Sequence, residues 1–374
     1  MNLEALRNAS ETPVVIESLE PLAAEGARFV LARSTDGAEG LAPASERLDY
    51  LWPILRQRVI PYFLGRDARE LPELVEGVFL HQSNYKLASI AFWCCVGWVE
   101  GALLDLLGHL AGKPIHALLG PQVRDSVEIY VSSMRRDTTP QQELDWLAPR
   151  IAQANARAAK IKVGGRMSNN ADAMPGRTEG LVALMRETFG PDFTLYADAN
   201  GSYDADHAIE VGHMLEGYGV AFFEEPCPWE DYRSTQRVAD ALDLPVAGGE
   251  QDSCWYRFRD MIEARTVDIV QPDLNYNGGL LRSLRVAKLA AEHGMLVTPH
   301  APRSDENWLT LLHFAACTPN LGPFAEFNAA HVGRRSHCQP PVEVRDGRVA
   351  IPSGPGFGVT WDPELLTRLQ PVGE

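Results

Sequence analysis

From residue 127 onward the chain alternates eight short apolar runs with amphipathic helical stretches, and nothing else in the sequence constrains the fold as tightly. The runs are residues 127–132, 159–163, 194–198, 221–224, 246–249, 269–271, 296–298 and 324–326; helical stretches such as 178–188, 205–217 and 281–293 lie between them. Short apolar runs separated by helices read as strands covered on both faces, and helical crossovers make neighbouring strands parallel. Eight such units predict a parallel β/α barrel, with a doubly wound open sheet as the alternative.

The runs also end alike. Lys160 and Lys162, Asp198 and Asn200, Glu224, Glu250, Asp273, His300 and Glu326 all stand at the C-terminal ends of apolar runs. From Lys160 through Asp198, Glu224, Glu250, Asp273, His300 and Glu326 the intervals are 38, 26, 26, 23, 27 and 26 residues. That is the spacing of one β/α unit per residue, and a barrel brings such positions to one mouth, where sites of this fold lie. A single carboxylate after a strand is ordinarily a helix cap. Seven polar positions in register are poorly explained that way.

Asp198, Glu224 and Glu250 come from successive strands, so their carboxylates are expected to converge on one point. Three such anions repel unless a cation sits between them. Oxygen-only donors favour a hard cation, Mg²⁺ first, with Mn²⁺ or Ca²⁺ behind it; a surface acidic cluster is the plainer alternative. Of Glu224 and Glu225 only one can face the mouth, and the spacing favours Glu224. Lys160 and Lys162 share one strand face, where each should lower the proton affinity of the other, so that one of them can act as a base. Asp273 can fix the tautomer of His300. Glu326 can donate a hydrogen bond to a substrate oxygen if burial keeps it protonated. Tyr130, Ser132 and Ser133 on the first barrel strand are candidates to touch substrate hydroxyls, and Arg303 to pair with a distal carboxylate.

The remaining chain divides into an N-terminal α+β unit over residues 1–125, the barrel over 126–340, and a C-terminal segment over 341–374 that packs back on the first unit without a helix of its own. The stretch 87–110 is the most membrane-like, but Glu100, Asp105 and His109 interrupt it and its leucines recur at helical spacing, which reads as a buried helix rather than a span. Six scattered cysteines with no CxxC read as reduced thiols of a cytoplasmic protein. A formal charge of −16 argues against a nucleic-acid surface.

The residues at the strand ends resemble the enolase superfamily and, within it, the mandelate racemase subgroup. The motifs are Lys160-Ile161-Lys162, Asp198-Ala199-Asn200, Phe223-Glu224-Glu225-Pro226, Gly248-Gly249-Glu250, Gln271-Pro272-Asp273 and Pro299-His300, with Ile351-Pro352 and Pro355-Gly356-Phe357-Gly358 near the end. The resemblance runs from Val14 to Pro363. It implies a modified (β/α)7β TIM barrel with an α+β capping domain built from both ends of the chain, and a homo-oligomer. It also implies one Mg²⁺ on Asp198, Glu224 and Glu250, with Mn²⁺ as a substitute. Lys162 would be one base and the Asp273–His300 dyad the facing base or acid. Lys160 would neutralise a substrate carboxylate and Glu326 would hydrogen-bond the enediolate. A Lys or His base acting beside Mg²⁺ is the documented pattern of the superfamily.

The expected activity is therefore removal of a proton next to a carboxylate, with a small carboxylate such as a sugar acid as substrate. The leading form is dehydration of a polyhydroxy acid to a 2-keto-3-deoxy acid; racemisation or epimerisation, and cycloisomerisation of a sugar-acid lactone, are the alternatives. A catalytically silent binding protein is a remote fourth, since no ligand or base of the pattern is missing. Two departures stand out. Only Glu20 to Gly26 is available for the loop that normally closes over substrate, and Glu39-Gly40-Leu41-Ala42 replaces the usual Gly-Trp-Gly-Glu ending of that region. Selection of the substrate is expected to fall to the barrel loops, to the region around Trp52 and Tyr62, or to a neighbouring subunit.

Overall fold

The computed structural model describes residues 3–24 and 26–373. The N-terminal unit is an antiparallel sheet of β1 (Ile16–Ala24), β2 (Ala27–Ser34) and β3 (Glu39–Pro43). The first loop is shorter still than the sequence suggests, because β1 runs on to Ala24 and pairs with Ala27 across the turn; Glu25 lies outside the described residues. Helix Ile90–Ala111 packs against β2 and β3, so closely that a side chain at Gly40 would collide with the Ala102 carbonyl. This helix is long and apolar enough to cross a membrane, but 78% of its most apolar window is buried inside the protein.

Its two buried carboxylates act as joints. Glu100 accepts hydrogen bonds from the backbone N–H of Leu280 (2.5 Å) and Leu281 (3.0 Å), donors at the start of helix Leu280–Glu292 that have no partner within the helix. Gly279, at φ 108°, has no room for a side chain because Glu100 fills the space. Asp105 accepts from Leu41 N (2.8 Å) and Phe357 N (2.6 Å), so one side chain ties β3 to the C-terminal segment.

The barrel strands are β4 (Ser126–Ser132), β5 (Ala158–Lys162), β6 (Thr194–Asp198), β7 (Phe222–Glu224), β8 (Val246–Gly248), β9 (Ile269–Val270), β10 (Leu296–Val297) and β11 (Ala325–Asn328). They pair in parallel in chain order, and β11 returns to pair with β4. Between β10 and β11 the seam is held by Val297, whose N–H donates to Asn320 O and whose carbonyl accepts from Gly322 N, each at 2.9 Å. A helix follows each of the first seven strands. The sheet is curled and parallel, as expected, rather than doubly wound.

Tyr130, Ala158, Tyr196, Phe222 and Ala247 form a layer inside the barrel, with Tyr196 and Phe222 stacked at 3.8 Å. Burying each of these aromatic side chains stabilises the fold by roughly 1.5–3 kcal/mol. The layer also sets the site: side chains alternate along a strand, so two residues beyond Ala158, Tyr196 and Phe222 must also face inward, and these are Lys160, Asp198 and Glu224.

The C-terminal segment serves both units. β12 (Cys338–Gln339) pairs with β14 (Thr360–Trp361), β13 (Arg348–Ala350) adds antiparallel to barrel strand β4, and β15 (Gln370–Pro371) adds to β1. Contrary to the sequence expectation it contains a helix, Pro363–Arg368, started by Asp362, whose side chain accepts from Glu364 N at 3.0 Å.

Candidate active site

A cavity of about 560 Å³ opens at the C-terminal ends of the barrel strands, roofed by the N-terminal unit. Lys162, Asn200, Glu250, Asp273, His300 and Arg303 line it.

Lys160 lies beneath, fully buried, with its Nζ 2.8 Å from both carboxylate oxygens of Glu224, 2.9 Å from Glu326 Oε1 and 3.6 Å from Asp198 Oδ2. Burial disfavours its charge, yet Glu224 and Glu326 outweigh burial and hold the ammonium well above the ordinary lysine range. This reverses, for Lys160, the expected lowering by its lysine neighbour: carboxylates, not Lys162, are the charges that touch it. Lys162 donates to Asp198 Oδ2 and, at 3.2 Å, to Asn200 Oδ1.

The acidic groups differ sharply. Burial raises Asp198, but Lys162 and Lys160 prevail and hold it below the usual carboxylate range. Burial pushes Glu224 up to about 8, Asp198 adding to the effect, although Gln271 Nε2 donates to it at 2.9 Å. Glu326 accepts from Ser132 Oγ and Ala301 N, both at 2.8 Å. Burial works against its charge, but Lys160 and His300 draw it down to about 2, so Glu326 is an ionised acceptor here rather than the protonated donor expected from burial alone. Glu250 accepts from Gln251 Nε2 at 2.8 Å through one oxygen; its other oxygen is buried without a hydrogen bond.

His300 Nδ1 lies 2.8 Å from Asp273 Oδ2, as expected, while Asp273 Oδ1 accepts from Asn275 N (2.7 Å) and Tyr276 N (2.9 Å). The Nε2 of His300 is 3.3 Å from Glu250 Oε2. Burial opposes the imidazolium, but Glu250 and Asp273 overcome it and raise His300 to about 10.

Among the described residues, no three His, Cys, Asp or Glu side chains are gathered as a ready metal cage. Asp198, Glu224 and Glu250 are brought side by side, yet the first two are turned onto lysines and the third towards His300. The donor set nonetheless suits a hard cation: it is all oxygen, it comes from three adjacent strands, and Glu250 Oε2 is buried without a hydrogen bond, with only the His300 ring at 3.3 Å.

Other candidates fare differently. Asn200 is central: its Oδ1 accepts from Lys162 and, at 2.7 Å, from Arg136 Nη2, and its Nδ2 donates to Glu225 Oε2 at 3.3 Å. Glu225, just past the end of β7 at φ 42°, is left outside the inward register. Tyr130 is 1% exposed below the site, its ring 5.5 Å from Lys160 Nζ; it supports that lysine and cannot touch a substrate hydroxyl. Ser132 and Ser133 are likewise turned away, onto Glu326 and Glu143. Arg303 is paired with Glu46 of the roof. The roof is made by residues 42–47 and by Gly97, Trp98 and Gly101 of the long helix, not by the Trp52 and Tyr62 region, which packs elsewhere.

Four lining residues have a place here that the sequence reading did not assign them. Arg47 donates to Tyr276 Oη at 2.6 Å, and Tyr276 rests 5.8 Å from the His300 ring. Arg136 and Arg166 follow β4 and β5. The rule that strand ends carry the chemistry points to both arginines, but they sit in loops, where no periodicity says which way a side chain faces.

Comparison with known proteins agrees with this geometry. Residues 144–365 match the family model described as Enolase C-terminal domain-like. The D-galactarolactone cycloisomerase of Agrobacterium fabrum is 33% identical over 83% of this chain and 82% of its own. The arabinonate dehydratase of Saccharolobus solfataricus is 27% identical over 90% of this chain and 89% of its own. A mandelate racemase/muconate lactonizing protein from Paracoccus denitrificans, solved complexed with magnesium, superposes with a TM-score of 0.87 at 26% identity, covering 96% of this chain and 99% of that one. With both fold and strand-end residues in place, the chain belongs to the enolase superfamily, in its mandelate racemase/muconate lactonizing subgroup.

Proposed function

We propose that this protein removes the proton next to a carboxylate and expels water from a sugar acid, giving a 2-keto-3-deoxy acid. The observation that carries the reading is that Lys162 and His300, each bonded to a carboxylate, come from separated barrel strands and line the same cavity. Carbon acids of this kind are too weak for an ordinary base, so the developing enolate must be stabilised as it forms. Asp198, Glu224 and Glu250 would hold a divalent cation, Mg²⁺ by the donor chemistry, which would supply Lewis-acid stabilisation of that charge.

The chain's own residues do the rest. Lys160, below the cavity, adds positive charge where the reacting carboxylate sits. One of Lys162 and His300 takes the proton from C2, and the other gives a proton to the hydroxyl leaving C3. The C2–H electrons become the new C2–C3 double bond as the C3–O bond breaks, and the enol then tautomerises to the keto acid. Asp273 holds His300 with one nitrogen turned to the cavity. Asn200 and Asp198 position the Lys162 side-chain nitrogen.

A second reading, cycloisomerisation of a sugar-acid lactone, needs the same enolate with a ring oxygen as leaving group. The relationship to the Agrobacterium fabrum enzyme favours it. Incubating the Mg²⁺-loaded protein with a panel of aldonates, aldarates and their lactones separates the readings. Dehydration releases a 2-keto acid, trapped as its semicarbazone, from open acids. Cycloisomerisation acts on the lactone alone. Deuterium uptake at C2 without a keto product would instead identify an epimerase.

A further inference from the structure

The cations and anions lining the cavity are unevenly shared. Two of its carboxylates, Asp273 and Glu250, lie beside His300, and the third, Glu46, is paired with Arg303. On the Lys162 side stand two guanidinium groups that form no ion pair among the described residues, although the buried Asp198 carboxylate lies near enough to favour the charge of Arg136. Arg136 bonds only to neutral oxygens, Asn200 Oδ1 at 2.7 Å and the Asp198 carbonyl at 3.3 Å, and its Nε is buried without a hydrogen bond. Arg166 sits at φ 58°, its backbone N–H on Ser202 Oγ at 2.9 Å, and makes no ion pair among the described residues. Arg303, by contrast, is already neutralised by Glu46. Arg136 and Lys162 share one acceptor oxygen, which places the two cations at most about 6 Å apart.

Asp198 neutralises Lys162, which leaves Arg136 and Arg166, with the buried and unpaired Nε of Arg136, to be completed by an anion from outside. The reacting carboxylate of a sugar acid does not do so, because in the reading above it sits over Lys160 and the acidic residues of β6 to β8. We infer that Arg136 and Arg166 form a subsite for a second anionic group at the far end of the substrate, so that the substrate is an acid charged at both ends. A guanidinium presents paired donors that match a carboxylate or a phosphate ester equally well. This inference rests on the proton-abstraction reading for the reacting end; the subsite itself can be tested without turnover.

The test compares acids of one stereochemistry whose far end is a hydroxymethyl group, a carboxylate or a phosphate ester, using the Mg²⁺-loaded protein. A far-end anion is expected to raise kcat/KM by about tenfold or more, and Arg136→Gln to cut that advantage by about tenfold, mainly through KM. The three far ends distinguish carboxylate from phosphate. Arg166→Gln repeats the test if the Arg136 variant does not fold. Equal or better use of the hydroxymethyl acid overturns the inference. So does an equal loss on all three acids in both variants, the mark of a residue that only positions Asn200. Titration of glutarate against pentanoate reads the subsite by binding alone. Tighter glutarate binding that Arg136→Gln abolishes upholds it even if no acid is turned over, in which case only the proton-abstraction reading fails. Equal binding overturns the subsite even where turnover upholds that reading.

Discussion

Glu100 on the long helix and Glu224 at the barrel mouth are both fully buried, and burial pushes both up to about 8. What opposes burial is different in the two places. At Glu100 it is two backbone N–H groups, fixed dipoles that cannot leave. At Glu224 it is the Lys160 ammonium, with Asp198, Glu250 and Glu326 nearby raising the cost of the charge further. A carboxylate satisfied by backbone dipoles is a joint. A carboxylate satisfied by a side-chain cation, in a crowd of other anions, can exchange that partner for a metal ion or for substrate charge.

If the distinction holds, the mouth can be broken without breaking the fold. Lys162→Met and His300→Asn should each lower turnover by about 10²–10⁴-fold, the range for a lost general acid or base, with little change in thermal midpoint. Full activity in His300→Asn would exclude the two-base mechanism. The joint should show the opposite: Glu100→Ala leaves two buried N–H groups unpaired and should cost about 2–3 kcal/mol of stability in chemical denaturation. Adding Mg²⁺ should stabilise the protein by about 2.7 kcal/mol at a hundredfold excess over its dissociation constant, and Asp198→Asn should remove that gain; thermal melts with and without chelator would show it.

Histidines sharpen the same contrast on a smaller scale. His300 is raised by carboxylates, whereas His313, buried against His116 (Nδ1 to Nδ1 3.1 Å) and the Phe357 carbonyl (3.1 Å), is lowered to about 3 by burial and then by His116. The unfolded chain takes up a proton near the ordinary histidine value while the folded chain does not. His313 therefore costs no stability above about pH 6.5 and about 1.4 kcal/mol for each unit below it, until its folded value is reached. Denaturation curves between pH 7 and 4 should carry this slope, and His313→Phe should flatten it.

Much of the barrel was legible because strand alternation and the β/α interval leave little freedom: Asp198 and Glu224 must face inward once Tyr196 and Phe222 do. The loops carry no such rule. Arg136 and Arg47 went unnoticed, Arg166 was given no role, and of the three sources expected for substrate selection the Trp52 and Tyr62 region does not form the roof, which residues 42–47 supply. Lys160 is the cation its expected role requires, whereas Glu326, expected to be a protonated donor under burial, is an ionised acceptor. Each charge state depends on which neighbours come within 3 Å, and those neighbours lie on strands far apart in the chain.

By itself, then, the sequence determined the order of strands and helices and that the strand residues Lys160, Asp198 and Glu224 face inward, because periodicity is a local property of the chain. Only the tertiary structure decided which carboxylate meets a dipole and which meets a lysine, that Arg303 is spent on Glu46, and that Arg136 is left without an ion pair among the described residues. Those outcomes depend on distances between remote segments, over which burial and Coulomb energies change steeply.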